Sequence, residues 1–511
     1  MSKKSFISGA VVLMVSGLIV RLMGFVYRIY LSNLIGAEGI GLFQLISPIY
    51  SLIILTLTSG ISISVSKMTA EQNAKGNYIN IRRITRLSLI IVVTSGIIVS
   101  FLMLIFLNFI VNDIIKDSRT YYSFLLLIPC IPIVAASSTL KGYFYGLQET
   151  VPTAASQIVE QIVKITIIML FASYFLDIGL EFACALATVG MALGEIASLI
   201  VLYIVYTVKK KKSEEISRKG YIPGLRIISS IIKISFPISV NRFTTSIMAT
   251  IECILIPSRL LLSGLDYKAC IEEFGRLSGM AMPLIYFPSL ITSSLATTLV
   301  PAISEAISTD NMESVRHRIS KSVQLSITLG ILFTSVFLVF SNQIANVIYK
   351  NQNVGPILFS LAITCMFIYL QQTLLGVLNG LGMQTLCLRN SVIGYIIRIT
   401  FIFFYVPTMG MNGYILGIII SNALVCVMNI IPVIKHTKMV VDIKNWIAKP
   451  AVSGIFILLT GKPIYALVTS FLPWKILSIT ITLVFLMVTA IMLLIYTGAL
   501  DVKDIKRAIK I

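Results

Sequence analysis

The chain has 511 residues, 57% of them hydrophobic and only 12% charged, with a mean hydropathy of +0.94. Soluble domains carry roughly 25% charged residues, so the composition excludes an ordinary soluble domain and defines an all-α polytopic membrane protein. The net charge of +20 does not indicate nucleic acid, because the basic residues gather in short loops between apolar runs and no aromatic-and-basic groove accompanies them.

The chain opens "MSKKSFISGAVVLMVSGLIV", in which Lys3 and Lys4 precede an apolar run too long for a secretory signal, so this segment is expected to stay as an anchor. The first span also carries Arg21 and Arg28. A guanidinium at the centre of a bilayer helix costs roughly 2.5–3.5 kcal/mol. Seven residues is nearly two turns, so both arginines point to one side of the helix, about 10 Å apart along its axis. That face is expected to avoid lipid. Runs long enough to cross a bilayer, about 20 residues each, begin near Phe6, Gly41, Ile84, Tyr121, Pro152, Phe182, Ile227, Ser278, Val323, Gly355, Ser391, Gly413, Ala451 and Trp474, giving fourteen spans. An even number puts both termini on one side. Loops on that side hold 27 Lys and Arg against 8 on the other, which predicts cytoplasmic termini in the cell membrane.

Sliding the chain over itself by 234 residues reveals an internal repeat with no gap from Arg82 to Ile168. "NFIVNDIIK" (108–116) lies over "NQIANVIYK" (342–350), "TLKGYFYGL" (139–147) over "TLLGVLNGL" (373–381), and "IVKIT" (162–166) over "IIRIT" (396–400). Gly96, Gly142 and Gly146 fall on Gly330, Gly376 and Gly380. An even number of spans separates the copies, so they cross in the same direction and the repeat is parallel. This predicts an N-lobe of six helices over 1–208, a charged cytoplasmic linker at 209–226 ("KKKKSEEISRKGYIPGLR"), a six-helix C-lobe over 227–434, and an unpaired pair of helices with a cytoplasmic tail over 435–511. Two such lobes around a central cavity are a transporter architecture, in which substrate binds near the midplane and the lobes rock.

Charges inside spans should face a cavity or pair with each other. Besides Arg21 and Arg28 they are Glu160 and Lys164 in span 5, Glu195 in span 6, Lys233, Arg242 and Glu252 in span 7, and Arg398 in span 11. Glu160 and Lys164 are spaced for a pair within one helix. The repeat lays Lys164 over Arg398 but Glu160 over Gly394, so the second copy keeps the cation without the local acid. Arg242 comes about as far along the first span of its copy as Arg21 does along its own. Arg21, Arg28, Arg242 and Arg398 form the candidate substrate-binding set, and guanidinium suits phosphate through its planar fork, so the expected substrate is anionic. Glu160, Lys164, Glu195 and Glu252 are the candidates for ion coupling or charge pairing. The seven cysteines show no CxxC and read as packing thiols. His317 and His436 lie in expected loops away from acids and cysteines, so no metal or cofactor is expected. No GxxxxGK[ST] motif or nucleophile–base constellation occurs, and an enzyme is not expected.

The runs "VRLMGFVYRIYLSNLIGAEGIGLFQLISPIY" and "SGISISVSKMTAEQNAKGN", with "SGMAMPLIYFP" and "LVPAISEA", resemble the stage V sporulation protein B family. That family lies within the multidrug/oligosaccharidyl-lipid/polysaccharide flippase superfamily. The resemblance extends over essentially the whole chain. It implies fourteen helices in a V-shaped pair of lobes. It also implies flipping of an undecaprenyl-pyrophosphate-linked glycan during spore cortex peptidoglycan synthesis, with cortex peptidoglycan synthases as possible partners. Arg21 and Arg28 match arginines in helix 1 of the related lipid II flippases. Those flippases carry an acid and a base about the helix 2 proline, whereas this chain has Gly39 and Leu52 there, with Glu38 adjacent. Arg276 falls where their helix 8 arginine does if an insertion is allowed. Two rival functions stand beside the flippase. One is a multidrug or cation exporter on the same fold, which would need a carboxylate-dominated cavity; the other is a nontransporting scaffold for cortex synthases.

Overall fold

The computed structural model describes residues 3–212, 222–350 and 352–499, and every regular element among them is helical. The long helices of the first half are α1 (Lys3–Ala74), α2 (Tyr78–Ile105), α3 (Cys130–Gly146), α4 (Val151–Ile178), α5 (Leu180–Lys212) and α6 (Gly224–Leu260). Those of the second half are α7 (Ser289–Ser308), α8 (Met312–Ile348), α9 (Thr364–Gly380), α10 (Gln384–Phe404), α11 (Met411–Thr437), α12 (Lys449–Phe471) and α13 (Lys475–Tyr496). Most of the expected linker, residues 213–221, and the expected tail beyond 499 lie outside the described residues.

The first helix cannot be a single crossing. Its apolar part, Val15–Ala74, has 60 residues, about 90 Å of helix against a hydrocarbon core of about 30 Å. Gly36 interrupts it with φ 68° and ψ −175°, a conformation cheap only for glycine, a few residues before the second expected span near Gly41. Among the described residues, 11 helices are long and apolar enough to cross a membrane, or 13 when two bent pairs each count as one span. Counting α1 as two crossings makes the total consistent with the fourteen expected.

The chain divides into two compact units, Met1–Ile254 and Leu255–Ile511. The division falls within α6, whose course as far as Ile254 belongs to the first unit. There Ser235 shares a 2.8 Å hydroxyl contact with Ser64 of α1. A Cβ on Gly60 would lie 2.5 Å from the Ser235 carbonyl oxygen, so only glycine admits this close crossing.

Each unit repeats the other's contacts at the 234-residue offset. A Cβ on Gly96 would meet Pro132 Cα at 2.8 Å, and one on Gly330 would meet Met366 Cα at 2.6 Å. Gly142 faces the Ser62 carbonyl and Gly376 the Ala296 carbonyl, each 2.5 Å from the Cβ position. Ser100 donates to the Ile128 carbonyl at 2.9 Å, and Thr334 to the Ala362 carbonyl at 3.0 Å. Asn77 caps α2 by accepting from the Asn80 N–H, and Asn311 caps α8 by accepting from the Ser314 N–H. The helix pair Ser118–Leu127 and Cys130–Gly146 bends by 42°, and its counterpart Gly355–Leu361 and Thr364–Gly380 by 54°. Small residues at helix crossings and hydroxyls bonded to neighbouring carbonyls are how a bundle packs where water gives no driving force. The duplication is therefore a property of the backbone as well as of the sequence.

Candidate functional site

The charged side chains of the first unit gather where α1, α3, α4 and α5 meet. On α1, Tyr27 is buried and Arg28 half-buried. The Lys164 ammonium of α4 lies 4.5 Å from the centre of the Tyr27 ring, a cation–π contact, and it is within electrostatic reach of Arg28, Glu160 and Glu195. One turn before Lys164, the Glu160 carboxylate lies 4.0 Å from the Lys141 ammonium of α3. Glu195 of α5 feels Glu160, Lys141 and Lys164. Its Oε2 is buried and has no hydrogen-bond partner among the described residues. Tyr50, mostly buried, feels both acids.

Two glycines make this convergence possible. A Cβ on Gly194 would lie 2.8 Å from the Glu160 carbonyl oxygen, and one on Gly190 would lie 3.3 Å from that of Lys164. They sit one turn apart on α5, so α5 lies directly on the charged stretch of α4. The result is three cations, Arg28, Lys141 and Lys164, around two acids, Glu160 and Glu195. An anion is better matched to this group than a cation.

Four residues singled out from the sequence, Arg28, Glu160, Lys164 and Glu195, thus come together. Besides the pair available within α4, contacts reach other helices: the Glu160 carboxylate lies 4.0 Å from the Lys141 ammonium, and Lys164 rests on the Tyr27 ring while still within electrostatic reach of Glu160. Lys141 was counted with the loops in the sequence but lies inside α3. Its position five residues before the end of an apolar run was the signal that could have placed it there. Arg21 is exposed on α1. On α6, Arg242 is exposed and Glu252 buried. Arg398 belongs to the second unit, 4.4 Å from the Tyr395 ring centre.

The turn of α6 bearing Glu252 is tied to the kinked part of α1. Pro48 has no N–H, which leaves the Gln44 carbonyl without its helical donor. The Cys253 thiol donates to that oxygen at 3.2 Å, and the Thr250 hydroxyl donates to the Pro48 carbonyl at 3.2 Å. Some cysteines are thus hydrogen-bond donors to spare carbonyls rather than filler alone, as Cys184 is to Gly39 at 3.3 Å. Glu38 pairs with Arg119 at 2.6 Å, and Arg119 also holds Asp117 at 2.8 Å. Arg276 is engaged by its own neighbours Glu272 and Glu273 at 2.9 and 2.8 Å. An apolar cavity of about 530 Å³ opens between α1, α2 and α6, lined by Leu52, Leu57, Met103, Phe236 and Phe243 among others.

The fold is that of the transporters of the MOP superfamily. An inward-facing multidrug resistance MATE family transporter superposes with a TM-score of 0.68 over 82% of this chain and 98% of that one, at 16% identity. A MOP superfamily transporter from Pyrococcus furiosus gives 0.61 over 84% and 95%, also at 16% identity. A profile of the family described as "Polysaccharide biosynthesis protein" matches residues 6–307. Stage V sporulation protein B of Bacillus subtilis is 31% identical over 452 residues, 87% of each chain. Lipid II flippase MurJ of the same organism is 25% identical over 445 residues, 82% of this chain and 80% of that one. The chain belongs to the polysaccharide biosynthesis protein family and, within it, to the family of stage V sporulation protein B. It is a multi-pass membrane protein.

Proposed function

We propose that the protein flips a lipid-linked oligosaccharide, an undecaprenyl-pyrophosphate-linked peptidoglycan precursor, by alternating access, and that it serves spore cortex synthesis with both termini in the cytoplasm. The observation that carries the reading is the cation-rich group around Arg28, on the same helix as Arg21. Buried cations at lipid depth are costly and need an anionic counterpart, and a pyrophosphate is one that a guanidinium fork accommodates in two-point contact. In this reading Arg21, Arg28 and Arg242 of the first unit hold the pyrophosphate while the polyprenyl tail stays in hydrocarbon, and Arg398 is the second unit's candidate ligand. The apolar cavity beside α6 offers a path of matching chemistry. Glu195 and Glu160 are the coupling acids, since a carboxylate without a hydrogen-bond partner between two lysines is a group whose charge state can follow an ion or proton. Glu252, buried on α6, is the third candidate for coupling. Cortex synthases are the partners this role would bring.

A drug or cation exporter fits less well, because cations outnumber acids in the group. The test is translocation of a labelled lipid-linked peptidoglycan precursor in proteoliposomes. Wild type should move it, and Arg28→Ala and Arg21→Ala should stop movement with the amount of folded protein unchanged. A wild-type chain that binds precursor or synthase but moves nothing would overturn the proposal in favour of a scaffold.

A further inference from the structure

The two units treat one equivalent groove in opposite ways. In the first unit the groove runs between the end of α1 (Ser64, Met68) and the start of α2 (Ile84, Leu87). The apolar side chains of α6 fill it: Ile227 and Ile231 form one buried cluster with Met68 and Ile84, with Leu87 packed against it. Adding 234 to the lining residues gives Thr298 and Ala302 on α7 and Arg318 and Lys321 on α8. In the second unit these same residues, with His317 and Ser322, line an open cavity of about 430 Å³ among the described residues. Isoleucine and leucine have become arginine and lysine. Two cations in place of two hydrocarbon side chains change the groove from a seat for an apolar helix into one that suits an anionic ligand.

Its depth in the membrane narrows the choice. Helix α8 has 37 residues, about 55 Å of helix against the 30 Å hydrocarbon core. Glu313, Arg316, His317, Arg318 and Lys321 occupy its first turns, and the unbroken apolar stretch begins at Val323. The mouth of the groove thus lies at the level of the lipid headgroups. The connector after α11 runs along the same side of α8: the Trp446 indole N–H donates to Ser320 Oγ at 3.2 Å and the Gln324 amide to the Asn445 carbonyl at 3.3 Å. That connector exposes Val440 and Ile443 between Lys438 and Lys444, the pattern of a segment that dips apolar side chains among acyl chains while its lysines stay with phosphates. Arg318 is held in place for such a ligand. Its Nε donates to Ser314 Oγ at 3.2 Å and its Nη1 to the Ala302 carbonyl at 3.1 Å, which spends two of five donors.

We propose that this groove binds the headgroup phosphate of an anionic glycerophospholipid, with Arg318 and Lys321 as its cationic ligands. The site does not depend on the flippase reading, and Arg28→Ala should leave it untouched. The test uses the full chain, stripped of native lipid and titrated with phosphatidylglycerol or phosphatidylcholine in mixed micelles, with bound lipid counted by native mass spectrometry and stability followed by thermal unfolding. Wild type should retain phosphatidylglycerol selectively and gain melting temperature from it. Arg318→Gln with Lys321→Gln should weaken that binding about thirtyfold, in line with the loss of two cations near a phosphate. Arg318→Lys should keep most of it. The glutamines replace exposed side chains, so an unchanged melting temperature without lipid confirms that the variant folds. Equal retention of phosphatidylglycerol by wild type and the double variant overturns the proposal. So does protection by undecaprenyl pyrophosphate or inorganic phosphate with none from phosphatidylglycerol, which would assign the groove to substrate or to a free anion.

Discussion

The two copies of the repeat share a backbone and differ in what it carries. Gly142 and Gly376 bring their helices to the same distance from a carbonyl, yet Lys141 beside the first is Leu375 beside the second. Glu160 corresponds to Gly394, and where Gly194 meets Glu160 in the first unit, Val425 meets Gly394 in the second, which places Cys426 opposite Glu195. Cys426 is buried and its thiol donates to the Phe367 carbonyl at 3.1 Å, a neutral contact where the first unit has a carboxylate among lysines. Only Lys164 keeps a cationic counterpart, Arg398, and it rests on a tyrosine ring in both units. Positions that set helix spacing were held by sterics, since any Cβ would strike backbone. Positions that carry charge were free to diverge, and the copies divided the chemistry between them.

The largest expected effect tests that division. Glu195→Gln should cut transport roughly 10–100-fold, the range of a site coupling of 1–3 kcal/mol, while Cys426→Ser should cost far less. Equal losses in the proteoliposome assay would mean that the acid of the first unit has no special part. Next come the glycine crossings. Gly142→Ala and Gly376→Ala should each destabilise by about 1–3 kcal/mol through overpacking, read from thermal unfolding in detergent, whereas Gly17→Ala, with open space around it, should not. Strongly unequal losses at the two crossings would show that the copies are no longer equivalent in packing. A smaller change is expected at Cys253→Ala, which removes the donor to the Gln44 carbonyl. Hydrogen bonds between membrane helices average about 0.6 kcal/mol, and a loss of that size in the same assay would confirm the tie across the Pro48 kink.

The smallest effect concerns the connector after α11 in the second unit. The Asn445 backbone N–H, bonded to Asp442 at 3.0 Å, holds that carboxyl below the usual carboxylate range, and the Asn445 side chain adds to the shift. A carboxyl lowered by folding contributes stability that is present above its unfolded pKa, about 3.9, and is lost as pH falls through the lowered value. The difference in melting temperature between wild type and Asp442→Asn should therefore be constant near neutral pH and vanish in acid. A difference that persists at low pH would show that the carboxylate's charge plays no part in the cap.

Much of the molecule was legible before any coordinates. Apolar length marked the spans because a bilayer demands about 20 residues whatever they pack against. The break of α1 was legible only to within a few residues: the second span was expected from near Gly41, and the structure puts the break at Gly36, where only glycine turns at low cost. The repeat was visible through glycines and polar residues, which are too costly to match by chance in an apolar chain. Lys141 was misread because sequence alone does not say where a helix ends to within two turns. Lys141 as a further neighbour of Glu160 was not legible, because a cation on another helix is invisible in sequence until the helices pack.

Composition and periodicity by themselves determined that this chain is a duplicated bundle of membrane helices with cations where lipid forbids them, since both follow from transfer energies that each residue carries with it. Tertiary structure alone decided which charges meet. Gly190 and Gly194 lay α5 on α4, Lys141 of another helix reaches Glu160 while Lys164 rests on the Tyr27 ring, and α6 fills a groove in one unit whose twin, among the described residues, is an open and basic cavity. Those outcomes depend on which surfaces come within a few ångströms, and no single helix carries that information.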